Sequence, residues 1–127
     1  MERLTSEKGP QAIGAYSAAT KVGKIIYTSG QIAIDPETSQ MVADEIKEQT
    51  HRVMQNLKIV LEENNSQLNN IIKANVFLTD IGEFQAFNEV YAKYFEEGNY
   101  PSRTAIQVGA LPNQAKLEID VMAVENK

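Results

Sequence analysis

Three segments of the chain, residues 25–29 (I-I-Y-T-S), 71–78 (I-I-K-A-N-V-F-L) and 121–124 (V-M-A-V), carry apolar residues in both phases of a β-strand. Successive strand side chains point to opposite faces, so these segments build a sheet that is apolar on both sides and needs cover on both. Only two stretches have the period of a covering helix. In residues 45–64, Ile46, Val53, Met54, Leu57, Val60 and Leu61 recur at helical spacing, opposite Lys47, Glu48, Arg52, Lys58 and Glu62. In residues 82–97, Phe84, Phe87, Tyr91, Tyr94 and Phe95 form an aromatic stripe of the kind that faces a core. Two helices make one layer. The second sheet face is therefore expected to be covered by other copies of the chain, sheet against sheet.

The punctuation sets the order of elements. Residues 15–20 and 25–29 read as strands joined by a Val22-Gly23-Lys24 turn, and Asp35-Pro36-Glu37-Thr38 makes the next turn. Asp44 is placed to cap the first helix, and Asn64-Asn65-Ser66 ends it. Gly98-Asn99-Tyr100-Pro101 ends the second helix and launches a final hairpin, giving β-β-α-β-α-β-β. This is an α+β domain with two helices on one face of a mixed sheet. At 127 residues and 43% hydrophobic composition, one domain spanning 1–127 is expected.

Composition excludes several functions. A net charge of −5 without a basic cluster disfavours nucleic acid as a partner. No run is long and apolar enough for a membrane, and Met1-Glu2-Arg3-Leu4-Thr5-Ser6-Glu7 lacks a secretion signal, so a cytoplasmic location is expected. With no Cys and only His51, there is no thiolate metal site, disulfide or Cys nucleophile. His51 lies mid-helix beside Arg52, and nothing around Ser29 resembles a nucleophile elbow, which disfavours a Ser-His-Asp triad. A phosphate-binding Gly loop, a dinucleotide fingerprint and a Schiff-base lysine are also missing, so catalysis is expected to need no cofactor.

The chemistry concentrates in residues 101–119, P-S-R-T-A-I-Q-V-G-A-L-P-N-Q-A-K-L-E-I. With Thr104, Ile106 and Val108 toward the core, Arg103 and Ala105 face the other way; Leu117, Ile119 and Val121 then leave Glu118 and Asp120 on that same face. An Arg fork grips a carboxylate by two parallel hydrogen bonds, and a Glu holds or moves a proton. A solvated cross-strand ion pair would use the same two residues. In a hairpin turning at Pro112 and Asn113, however, Glu118 falls opposite about residue 107, on the order of 13 Å from Arg103. A shared small-acid site would then combine Arg103 of one subunit with Glu118 of another.

The same stretch, P-S-R-T-A-I-Q-V-G-A-L followed by L-E-I, resembles the C-terminal signature of the Rid family, formerly the YjgF family, of reactive imine deaminases. The resemblance continues through Ile13-Gly14-Ala15-Tyr16-Ser17, Tyr27-Thr28-Ser29-Gly30-Gln31-Ile32, Val76-Phe77-Leu78-Thr79-Asp80 and Phe87-Asn88-Glu89-Val90-Tyr91, in order along essentially the whole chain. It implies a chorismate-mutase-like fold and a homotrimer whose sheets close a barrel, with active sites between subunits. The implied reaction is hydrolysis of 2-imino acids, such as 2-iminobutanoate and 2-iminopropanoate, to 2-oxo acids and ammonia. That reaction protects pyridoxal-phosphate enzymes from damage.

By the same resemblance Arg103 holds the substrate carboxylate, Glu118 orients or activates water, and Tyr16 meets the nitrogen or the water. Ser29 and Gly30 edge the pocket, and Asn88 stands near it. Many members carry Cys where this chain has Ala105, which offers the same backbone N–H but no thiol. Two alternatives remain open: a non-catalytic sensor or binding module for 2-oxo acids, and the ribonuclease or translation-inhibitor activity attached to some members.

Overall fold

The computed structural model, which describes residues 1–127, contains eight strands and two helices. The strands are β1 (Glu2–Leu4), β2 (Ala19–Val22), β3 (Ile25–Thr28), β4 (Ile34–Asp35), β5 (Gln40–Met41), β6 (Ile71–Leu78), β7 (Ser102–Gln107) and β8 (Leu117–Val124). The helices are α1 (Ile46–Glu63), between β5 and β6, and α2 (Phe84–Ala92), between β6 and β7. Six strands form one sheet in the order β1-β2-β3-β8-β6-β7, while β4 and β5 make a separate short hairpin. Only β6 and β7 pair in parallel, as a strand pair joined through a crossover helix must. The α+β class and mixed sheet expected from the sequence are observed.

Both helices bury their apolar stripes. Ile46, Val53, Met54, Leu57, Val60 and Leu61 of α1 join Phe87 and Tyr91 of α2 and the inward residues of β3, β6 and β8 in one core. The short strands β1, β4 and β5 add to the expected order, the strand read over 15–20 lies at 19–22 with Val22 inside it, and both helix starts differ from the sequence reading. Glu45, not Asp44, caps α1, its carboxylate accepting the Glu48 N–H at 2.7 Å. α2 is shorter than residues 82–97: it begins after a 3₁₀ turn at Ile81–Glu83, and its end tightens to i→i+3 bonds from Tyr94 to Tyr91 and Phe95 to Ala92.

The final hairpin does not form. β7 and β8 lie on opposite sides of β6, and residues 112–114 make a 3₁₀ turn in the connection, with Asn113 and Gln114 at positive φ. β8 is suited to the sheet centre because Leu117, Ile119, Val121 and Ala123 are all buried. β7, whose Ser102, Thr104 and Ile106 are exposed, takes the edge.

The pairing also inverts the predicted phase of β7. Arg103 stands beside Ala74 and Ala105 beside Val76, and both partners are fully buried under the helices. Residues paired directly across share a face, so Arg103 and Ala105 lie on the helix side, and Thr104 and Ile106 on the open side. The phase of β8 is as expected. Glu118, paired with Phe77, faces the open side with Asp120, whose carboxylate accepts the Asn75 amide at 2.8 Å. Arg103 and Glu118 therefore do not share a sheet face. Arg103 aligns through Ala74 with Val121, two strands across and three residues from Glu118, on the order of 14 Å away.

The open face leaves apolar surface in solvent in the single chain, including Tyr27 at 40% and Ile106 at 45% exposure. Two buried amides of α1 hold loops on the covered side. Asn56 donates to Ile32 O at 3.3 Å and Ile34 O at 2.8 Å, and Gln49 accepts the Lys116 N–H at 2.9 Å. Replacing Asn56 with Ala strands those carbonyls. The expected loss is about 1–3 kcal/mol in urea unfolding, against less than about 0.5 kcal/mol for Ala at exposed Gln67.

Candidate active site

Four of the candidate residues meet in one cleft. Tyr16, Ser29, Gly30 and Glu118 line a space of about 340 Å³ together with Gln31, Ile32 and Pro112. The chain leaving β3 is zipped to β8 by reciprocal bonds between Gln31 and Ile119, N–H to O at 2.8 and 3.1 Å. This draws Gly30 against the Glu118 side chain. A Cβ built at Gly30 would stand 2.7 Å from the Glu118 carboxyl carbon and 2.8 Å from Oε2, so only glycine allows this approach. The Ser29 hydroxyl donates to Ser17 O at 2.6 Å, which ties the pocket edge to the segment bearing Tyr16. That segment is anchored further back, where the Glu63 carboxylate accepts the Ser6 hydroxyl at 2.6 Å and the Glu7 N–H at 3.1 Å. Tyr16 itself is 54% exposed, its hydroxyl free to meet a ligand.

Burial pushes the Glu118 carboxyl above its ordinary value, and the neighbouring Asp120 carboxylate adds to the rise. A carboxyl held this way exchanges a proton nearer neutrality than a solvated glutamate does.

Two of the remaining candidates, Arg103 and Asn88, line a second cleft on the other side of the sheet. Arg103, Asn88, Tyr91, Tyr100 and Pro101 line a space of about 390 Å³. Arg103 Nη1 donates to Asn88 Oδ1 at 2.7 Å. The guanidinium carbon lies 5.1, 5.8 and 5.0 Å from the ring centroids of Phe84, Phe87 and Tyr91. None of the four salt bridges in the chain includes Arg103, so it is not half of an ordinary surface ion pair. The rings and the amide hold the fork in one orientation without neutralising it. Asn88 thus acts on Arg103.

Ala105 is two residues along the same strand and face. Val108 N–H donates to Leu78 O at 2.8 Å, and parallel-ladder alternation then turns the N–H groups of Arg103, Ala105 and Gln107 away from β6, toward the free sheet edge. Ala105 can present a backbone donor there.

The seven predicted residues thus divide between two sheet faces, with Tyr16, Ser29, Gly30 and Glu118 in one cleft, Arg103 and Asn88 in another, and Ala105 two residues from Arg103 on the same strand face. Sequence reasoning missed Tyr91, read as core, and the loop-holding amides Gln49 and Asn56. The amides had a signal: two polar residues seven apart on the apolar stripe of a helix. His51 is far from Ser29 in role, its Nδ1 bonded to the Tyr94 hydroxyl on the outer helix face. No group of three or more His, Cys, Asp or Glu is arranged to hold a metal ion, and no helix is long and apolar enough to cross a membrane.

Comparison with known proteins agrees with this architecture. Residues 6–125 match the family described as Endoribonuclease L-PSP. A RutC family protein of Pyrococcus abyssi is 46% identical over 122 residues, covering 96% of this chain and 95% of its own. A 2-iminobutanoate/2-iminopropanoate deaminase of Rattus norvegicus is 41% identical over 122 residues, covering 96% and 88%. Among solved structures, E. coli TdcF with bound serine superposes with a TM-score of 0.92 at 34% identity, covering 99% of this chain and 100% of its own. The chain belongs to the Endoribonuclease L-PSP family, the Rid or YjgF group of the sequence resemblance.

Two outcomes follow from the Glu118 cleft. A Gly30→Ala chain should fold yet displace the Glu118 carboxylate, and in the reaction proposed below this should cut turnover by at least about tenfold, because removing a positioned acid–base group costs roughly 10²–10⁴-fold. The raised folded-state value of Glu118 means that the folded chain binds this proton more tightly than the unfolded chain. Its contribution to stability is therefore full at low pH and is lost as pH rises from the unfolded value, near 4.5, through the folded one. Glu118→Gln should raise the thermal midpoint at pH 7.5, and the difference from wild type should vanish below about pH 4.

Proposed function

We propose that this chain hydrolyses small 2-imino acids to 2-oxo acids and ammonia, in sites built where two copies of the chain meet. The observation that carries the reading is the chemistry of the two half-sites. One offers an Arg fork with no carboxylate partner; the other offers a desolvated carboxyl in a cleft. The rat relative's name as a 2-iminobutanoate/2-iminopropanoate deaminase supports the same chemistry.

In the proposed reaction, Arg103 takes the substrate carboxylate by two parallel hydrogen bonds, with the Ala105 N–H beside it. Glu118 of a neighbouring copy holds a water at the C=N carbon. As the water oxygen bonds to that carbon, Glu118 accepts its proton, and the C=N electron pair moves to nitrogen, which becomes protonated. Glu118 and the Tyr16 hydroxyl relay protons to the nitrogen of the tetrahedral intermediate. The C–N bond then breaks as Glu118 takes the remaining proton of the former water oxygen, which becomes the carbonyl of the 2-oxo acid, and ammonia leaves carrying both water protons. Substrate and one water account for all atoms.

The unit is taken as one domain, residues 1–127, repeated three times, with the exposed apolar sheet faces closing against one another as a barrel. The protection of pyridoxal-phosphate enzymes and a cytoplasmic setting belong to this reading as the role such a reaction would fill. The family description carries an endoribonuclease name, but a chain of net charge −5 offers little to a phosphate backbone.

A coupled assay tests the reaction. With a threonine dehydratase generating 2-iminobutanoate, wild type should accelerate 2-oxo acid formation, and Arg103→Ala and Glu118→Gln should each abolish the acceleration. Glu118→Gln should still bind 2-oxobutanoate. No acceleration by a folded wild type, with binding retained, would make the protein a 2-oxo acid sensor. Mixing the two inactive variants tests the shared site. Random trimers of R103A and E118Q subunits should recover about a quarter of the wild-type rate, since each mixed trimer keeps one intact Arg–Glu site. No recovery from demonstrably mixed oligomers would place the reaction within one chain.

A further inference from the structure

We propose that the Tyr91 hydroxyl is a direct ligand contact, donating its proton to the same carboxylate that Arg103 grips. The inference rests on the function proposed above and adds a second, uncharged donor to its carboxylate clamp.

Tyr91 is 3% exposed, and its buried hydroxyl has no acceptor for its proton: the Arg103 guanidinium beside it can donate toward the phenol oxygen but cannot take the proton. Buried hydroxyls are almost always satisfied, because losing water without a replacement is costly. Tyr91 is one of the residues that line the Arg103 cleft. A ligand that enters this cleft can supply the missing partner.

The surroundings define the partner's chemistry. The Arg103 guanidinium carbon is 5.0 Å from the Tyr91 ring centroid, but a guanidinium has donors only and cannot accept the phenol proton. Asn88 Oδ1, an acceptor in the same wall, already receives Arg103 Nη1 at 2.7 Å. The cleft therefore presents a fixed cation and an O–H donor that no acceptor of the cleft receives, Asn88 Oδ1 being engaged by the fork. An ionised carboxylate answers both, since its two oxygens offer about four lone-pair sites, two for the fork and others for the phenol. A neutral or cationic ligand would leave the Arg uncompensated. The site accordingly selects small acids.

The test compares wild type, Tyr91→Phe and Arg103→Ala by calorimetric titration with 2-oxobutanoate, alongside the coupled imine assay. Tyr91→Phe keeps the ring beside the guanidinium and deletes only the hydroxyl. Its affinity for 2-oxobutanoate should fall roughly tenfold, as expected for a lost hydrogen bond to a charged group, with a matching rise in KM. The thermal midpoint of the ligand-free variant should stay level or rise, because an unsatisfied buried group has been removed. A purely structural hydroxyl would instead lower the midpoint and leave affinity unchanged. Wild-type affinity in Tyr91→Phe, with binding and turnover lost in Arg103→Ala, would overturn the Tyr91 contact alone. Neither binding nor turnover by wild type would overturn the proposed function and this contact together. Wild-type binding without turnover, still weakened in Tyr91→Phe, would uphold the contact in a sensor.

Discussion

The parallel pairing of β7 with β6 is the constraint on which the rest of the site depends. It sets Arg103 beside Ala74, directly beneath α2, so a permanently charged side chain lies on the face that would otherwise be all core. The chain accommodates it with Phe84, Phe87 and Tyr91 around the guanidinium and a hydrogen bond that Arg103 donates to the Asn88 amide oxygen, without an anion. Aromatic faces favour a cation electrostatically but cannot neutralise it. The result is an oriented fork with no counter-charge within the chain.

Glu118 occupies the converse environment. β8 runs between β3 and β6, and the Gln31–Ile119 bonds bring a glycine backbone close enough to strip water from the carboxyl. Asp120 on the same face adds to the upward shift that burial causes. One half-site thus presents a fixed charge and the other a movable proton. α1 supports the second from below, since Asn56 and Gln49 tether the segments on either side of the Glu118 cleft. Buried amides on an apolar helix stripe destabilise a helix core unless fully bonded, and here their bonds go to the loops that shape the cleft.

Much of the fold was legible before any coordinates. Residues 71–78 became a strand with those bounds, and the apolar stripe of α1 came out residue for residue, because both follow from periodicity along one segment. The site was legible in part. Tyr16, Ser29, Gly30 and Glu118 do converge, and Arg103 and Asn88 do touch. The phase of β7 was misread because Ile106 and Val108 look like core residues beside Arg103. An edge strand whose open face is apolar inverts that rule. The final hairpin failed for a related reason: a turn signal at Pro112 and Asn113 marks where the chain bends, and not which strand lies beyond the bend.

What the amino-acid sequence determined alone was local: helical and strand periods, the turn positions, the absence of thiols, the identity of the acid, the Arg and the glycine. Two apolar sheet phases with helices enough for one layer also implied a face awaiting cover. Which face each functional residue took was decided only by tertiary structure, because strand phase depends on the neighbour's register, and registers join residues distant in the chain. Arg103 is a helix-side residue because Ala74 is, and Glu118 an open-side residue because Phe77 is. The Tyr91 hydroxyl is equally a tertiary fact: in sequence it is one more aromatic in a core stripe, and only packing shows that its proton has no acceptor.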